Sequence, residues 1–124
     1  MDKINVLVEY PEKIYLEECE YLEKIDLLGK GRIELKKFES SIEMEVERDS
    51  SKEEFKEKLS NATKRSNEVK ERLTYNRIYA ELQERINTLK KETDVHELRI
   101  ARDKRVFRSA IALCNLLEKS KEEN

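Results

Sequence analysis

The sequence predicts an all-α fold: long antiparallel helices forming a coiled-coil-like hairpin or small bundle, assembled as an oligomer. Three observations carry this expectation. Helix breakers are nearly absent, with two Gly and one Pro in 124 residues. Charged residues make up 44% of the chain and apolar ones 37%, against about 25% and about 45–50% in an average domain. Apolar residues also recur at steps of three and four, the period of an amphipathic helix. The same counts exclude a β-sandwich or barrel, which needs frequent turn residues, and a Rossmann or P-loop domain, which needs glycines. With 26 Lys+Arg against 28 Asp+Glu, the chain is not the strongly unbalanced polyelectrolyte that disorder usually requires. The length suits one domain, expected to span residues 1–124.

The first segment, residues 1–49, reads as acidic and helical. Pro11 suits the first turn of a helix, after which Ile14, Tyr15, Cys19, Leu22, Ile25 and Leu28 mark its apolar face. Gly29-Lys30-Gly31 is expected to weaken, kink or end that helix. Leu35, Phe38 and Ile42 resume the helical period. Residues 42–46 also alternate apolar and polar as a half-buried strand would, but glutamate-rich alternation in a helical chain favours helix. Arg48-Asp49-Ser50-Ser51 is the strongest turn signal. Ser50 with Glu53, and Ser51 with Glu54, have the spacing of a capping box; Ser60-Asn61 is a second candidate start.

Residues 50–119 read as one long helix or two consecutive ones. The apolar seam runs Phe55, Leu59, Ala62, Val69, Leu73, then, in a shifted phase, Leu82, Ile86, Leu89, Ile100, Phe107, Ala110, Cys114 and Leu117. Leu73, Leu82, Ile86, Leu89, Ile100 and Phe107 are the expected packing and oligomer seam. The rhythm slips between Leu73 and Leu82, and Thr93-Asp94 could cap a new helix, so a break near 92–95 is expected. A single 65-residue helix would approach about 100 Å. Residues 120–124 read as a disordered tail. Ser66, Asn76, Thr93, His96 and Asp103 fall on or beside the seam, where polar residues fix register and partner number. A seam this thin buries little surface, so a homo-oligomer, a dimer foremost, is expected.

Charge is segregated along the chain. Residues 1–57 carry 17 acidic and 10 basic side chains, and residues 58–108 carry 14 basic and 8 acidic ones. Lys58, Arg65 and Arg72, seven apart, line one helix face. Arg99, Arg102, Lys104, Arg105 and Arg108 place five cations in ten residues. On a helical wheel the last four share an arc of about 160°. Such a face grips phosphates, since Arg binds them bidentately; alternatively these cations pair with the acidic first segment. Base stacking is not expected, because Phe107, the one aromatic nearby, faces the apolar side.

Catalytic constellations are lacking. His96 is the only histidine, and with Glu92 one turn away it forms no bundle-type metal set; a polar contact within the seam is the expected role, and no metal is. There is no phosphate loop and no nucleophile elbow. No enzyme activity, cofactor or small-molecule substrate is expected. The longest apolar run, Ala110–Cys114, is far below the roughly 20 residues of a membrane span. Without a signal peptide, a cytoplasmic protein is expected, with Cys19 and Cys114 reduced rather than joined in a disulfide.

Ser60-Asn61-Ala62-Thr63-Lys64-Arg65, then Arg72-Leu73, Asn76, Tyr79-Ala80-Glu81-Leu82, Ile86 and Arg105-Val106-Phe107-Arg108 occur in a recognisable order. The order resembles that in small helical coiled-coil proteins encoded in the recombination and replication gene clusters of bacteriophages and prophages, over residues 38–111. The resemblance implies a phage or mobile-element origin and an accessory role near DNA processing, and brings no catalytic residues with it. The expected function is a non-enzymatic accessory protein contacting DNA, RNA, or a nuclease or recombination protein through its basic helix face. A protein-directed inhibitor of the anti-defence or anti-CRISPR type, with an acidic first segment mimicking nucleic acid, and a purely structural coiled coil are the alternatives.

Overall fold

A computed structural model describes residues 3–123. The element order is α1 (Lys3–Ser50), a short 3₁₀ turn (Glu53–Phe55), α2 (Ala62–Thr74) and α3 (Arg77–Glu123). No strand occurs among the described residues, and residues 42–46 are helical. The chain divides into two compact units. The first unit comprises Met1–Asp26 with Lys90–Asn124, and the second Leu27–Leu89.

In the first unit the start of α1 pairs antiparallel with the end of α3. Val6, Tyr10, Ile14 and Ala110 are buried together, with Leu7 and Phe107 packed against them. Toward the other end of this unit the seam becomes polar. Thr93, His96 and Asp103 are buried beside Ile100, and α1 meets them with Glu17, Tyr21 and Lys24, all half-buried. On α3 the buried and half-buried positions 93, 96, 100, 103, 107 and 110 alternate steps of three and four, the knobs-into-holes rhythm of a coiled coil.

In the second unit α1 supplies Leu28, Gly31, Leu35, Phe38 and Ile42 in the same rhythm, and α3 supplies Tyr79, Leu82, Ile86 and Leu89. Ile42, Val46 and Leu59 form the core, flanked by Phe38, Phe55, Val69 and Leu73. The 3₁₀ turn and the loop after it thus fold back over α1, and α2 covers them.

Several local expectations are corrected. α1 runs through Gly29-Lys30-Gly31 without a break. The second glycine is a packing device: a Cβ built there would lie 3.3 Å from Ile86 Cγ1. Pro11 lies inside α1 rather than in its first turn. It removes one i→i−4 hydrogen bond, and the packing of Val6, Tyr10 and Ile14 holds the helix around it. Ser50 and Ser51 do not form capping boxes, because their hydroxyls donate back to the Glu47 and Arg48 carbonyls at 2.6 and 2.8 Å. The functioning cap is Asn61, whose Oδ1 accepts from Lys64 N at 2.8 Å.

The helix break lies at 75–76, not at 92–95. Asn76 Oδ1 accepts from Tyr79 N at 3.0 Å and so caps α3. Thr93 caps nothing: its hydroxyl donates to the Lys90 carbonyl at 2.8 Å inside a continuous helix. The segment expected as a tail is helical through Glu123, and Asn124 lies outside the described residues. On α1 the seam also runs over different side chains from those expected. Ile14 and Leu28 are buried, but Tyr15, Leu22 and Ile25 are exposed, because Glu17, Tyr21 and Lys24 hold the inner positions. Ala62 and Leu117 likewise face outward.

Candidate functional site

The two basic groups singled out by the sequence meet different fates. In the second unit Lys58, Arg65 and Arg72 all contact acidic residues of the chain itself. Arg72 is the hub: its Nη1 donates to Glu45 at 3.0 Å and to Asp49 at 2.9 Å, and its Nε donates to Glu68 at 3.0 Å. Lys58 Nζ lies 3.5 Å from Glu68, and Arg65 lies 3.8 Å from Glu47 while donating to the Leu59 carbonyl at 3.1 Å. The Arg72 hydrogen bonds hold the Glu68 and Asp49 carboxyls below their ordinary values. Charge-assisted bonds of this kind favour the ionised acid. These three cations tie α2 and the preceding loop to α1.

The second group lies on α3 in the first unit. Lys104 Nζ pairs with Glu18 at 2.8 Å, and Arg102 lies 3.3 Å from Asp103 while remaining 61% exposed. Arg99, Arg105 and Arg108 are exposed and form no ion pair among the described residues. Arg102 and Arg105 edge a groove of about 610 Å³ that Val6, Tyr10, Val106 and Leu113 also line. The face is therefore basic with apolar side chains between its cations. Val95, Leu98 and Val106 are all exposed on it.

Behind this face lies a buried polar layer whose acidic half on α1 the sequence reading missed. Asp103 is 1% exposed. Its Oδ2 lies 3.4 Å from Lys13 Nζ, too poorly aligned for a hydrogen bond. Burial pushes the Glu17 carboxyl up, helped by a hydrogen bond and by the charge of Asp103. For Asp103 burial opposes ionisation, yet the Glu17 hydrogen bond and Lys13 outweigh it and hold the carboxyl low. The two directions describe one coupled carboxyl pair in which protonation is favoured at Glu17 and ionisation at Asp103. The signal was present: Glu17 stands at the seam position three residues after Ile14.

His96 is 2% exposed. Its Nε2 donates to the Glu17 carbonyl at 2.8 Å, since a carbonyl only accepts; this fixes the tautomer and makes His96 the seam polar contact expected. Among the described residues no group of three or more His, Cys, Asp and Glu side chains is arranged to hold a metal ion. Among the same residues, no helix is long and apolar enough to cross a membrane. Cys19 and Cys114 are free and half-buried. Of the other seam residues, Ile100 is buried, and Leu73, Leu82, Ile86, Leu89 and Phe107 are half-buried. Comparison with protein-family models, curated proteins and solved structures finds no match for this chain.

Proposed function

We propose that the protein is a non-enzymatic helical accessory protein that works by surface contact, and that its contact surface is the arginine face of α3 in the first unit. The observation that carries this reading is the contrast between the two basic groups. Lys58, Arg65 and Arg72 are engaged by acids of the chain, whereas Arg99, Arg105 and Arg108 point outward with no ion pair among the described residues. Arginines at helical spacing suit the phosphate backbone of nucleic acid, which they grip as planar forks. An accessory role near DNA processing, which the resemblance to phage and prophage proteins implies, fits such a surface.

Fluorescence anisotropy of a labelled DNA duplex tests the reading. Binding should weaken with salt, with a logarithmic slope of about −3 for three to four neutralised phosphates. Reversing Arg99, Arg105 and Arg108 to Glu should abolish it while leaving the helical circular dichroism intact. Absence of binding at low salt sinks the nucleic-acid reading.

A further inference from the structure

We infer that a second copy of this chain docks on the first unit, laying its α1 over the arginine face of α3. The inference rests on the reading of that face as a contact surface and names a partner for it. Its basis is that one flank of the first unit is complementary to itself.

On α1, Glu9, Glu12, Leu16, Glu20 and Glu23 are exposed and fall within an arc of about 80° on the helical wheel. No cation shares that arc. On α3, Leu98, Arg99, Arg102, Arg105 and Val106 fall within an arc of about 120°, and no acid shares it. Both arcs begin short of the buried seam in the same rotational sense. In an antiparallel pair this sets them on one flank, acidic along α1 and basic along α3. The groove joining Tyr10 to Arg105 and Val106 opens on that flank.

The hairpin's own register then fixes the pairing. Lys13 and Lys24 stand level with Asp103 and Glu92. A two-fold axis parallel to the hairpin carries α1 of the second copy over α3 at the same level. Glu12 of the second copy then faces Arg105, Leu16 of the second copy meets Arg99 and Arg102, and Glu20 of the second copy lies beside Arg99. The symmetry repeats every pairing on the other side, as an isologous dimer requires. The flank also has enough area. About 24 residues of helix at 1.5 Å each, two helices wide, offer roughly 700 Å², close to the ~800 Å² per partner of a standard interface. Leu16, Val95, Leu98 and Val106, all exposed in the single chain, become covered. Self-association and nucleic-acid binding would then draw on the same arginines and exclude one another.

Sedimentation equilibrium with a charge swap tests this. Wild type should be a dimer that weakens with salt. Glu12→Lys/Glu20→Lys and Arg99→Glu/Arg105→Glu should each be monomeric, losing at least about a hundredfold in affinity through like charges brought face to face. Mixed in equal amounts, the two variants are complementary at every contact and should form a heterodimer. A misfolded variant is detected by circular dichroism, and restoration in the mixture cannot come from misfolding. A monomeric wild type, variants that dimerise like wild type, or a mixture that stays monomeric would each overturn the inference. The duplex-binding measurement is separate. If the swap succeeds and no duplex is bound, the nucleic-acid reading falls and the dimer stands; if a duplex is bound and the swap fails, the reverse holds.

Discussion

Glu17 and Arg72 show how differently an ionisable side chain can sit in a helix seam. Glu17 is half-buried against Asp103 and held above its ordinary value of 4.5 by burial first and the neighbouring carboxylate second. A raised carboxyl stabilises the fold at low pH, and that contribution is lost as pH climbs from 4.5 through the folded value. Glu17→Gln keeps a donor toward Asp103 and removes the titration. It should raise stability at pH 7 by about 1 kcal/mol, the scale of one buried hydrogen bond, with the gain vanishing below about pH 4.5. Urea unfolding at several pH values measures it, and an equal gain at all pH values would contradict the pairing. Arg72 is the opposite case, a single cation answering three carboxylates. Arg72→Met keeps most of the packing and leaves Glu68, only 9% exposed, with Lys58 at 3.5 Å as its remaining cation. It should cost about 2 kcal/mol, below the range for fully buried pairs because Glu45 stays wet. A loss under about 0.5 kcal/mol would place the network among ordinary surface pairs.

At the scale of the helix, the two glycines of α1 separate backbone cost from packing. Gly29 has nothing within 4 Å of an added Cβ, whereas Gly31 faces Ile86 Cγ1 at 3.3 Å. Gly29→Ala should therefore stabilise by about 1 kcal/mol, the helix-propensity difference. Gly31→Ala should gain clearly less, because Ile86 must shift by a few tenths of an ångström. Thermal unfolding compares them directly, and equal gains would show that Gly31 has no packing role. Pro11→Ala restores a backbone bond inside α1 and should slow amide exchange in the preceding turn. Much of this level was legible in the sequence. The scarcity of Gly and Pro announced long helices, and the four-three rhythm located Ile42, Leu59, Ile100 and Phe107. The inner face of α1 was misread because Tyr15, Leu22 and Ile25 form a second apolar stripe, and periodicity alone does not say which of two stripes turns inward. The break was misplaced because Asn76 and Thr93 both look like caps, and only tertiary context decides which hydroxyl or amide bonds back into a continuous helix. The contacts of Arg72 were hidden for another reason: its partners Glu45 and Asp49 lie 27 and 23 residues away.

For the molecule as a whole, the near-neutral sum of 26 cations and 28 acids conceals carboxylates that pull stability in opposite directions with pH. Asp49, Glu68 and Asp103 are held below their ordinary values of 3.8, 4.5 and 3.8. Arg72 hydrogen bonds are the first cause for Asp49 and Glu68, while Asp103 is held low by Glu17 and Lys13 against its burial. A depressed carboxyl contributes stability that is complete above its unfolded value and is lost as pH falls toward the folded one. Glu17 works the other way, its contribution fading as pH rises from 4.5. Three groups against one make acid the destabilising direction. Unfolding free energy should fall from about pH 4.5 downward, and more gently as pH rises above that point. The two limbs are separable by mutation. Arg72→Met should make the acid limb shallower, because Asp49 and Glu68 lose the first cause of their lowered values and keep only Lys52 and Lys58. Glu17→Gln should flatten the other limb and leave the acid limb steep. Acid titrations of wild type and both variants, followed by circular dichroism at fixed urea, measure all three slopes. An acid limb unchanged in Arg72→Met would mean that the hub does not set the low-pH stability of this chain.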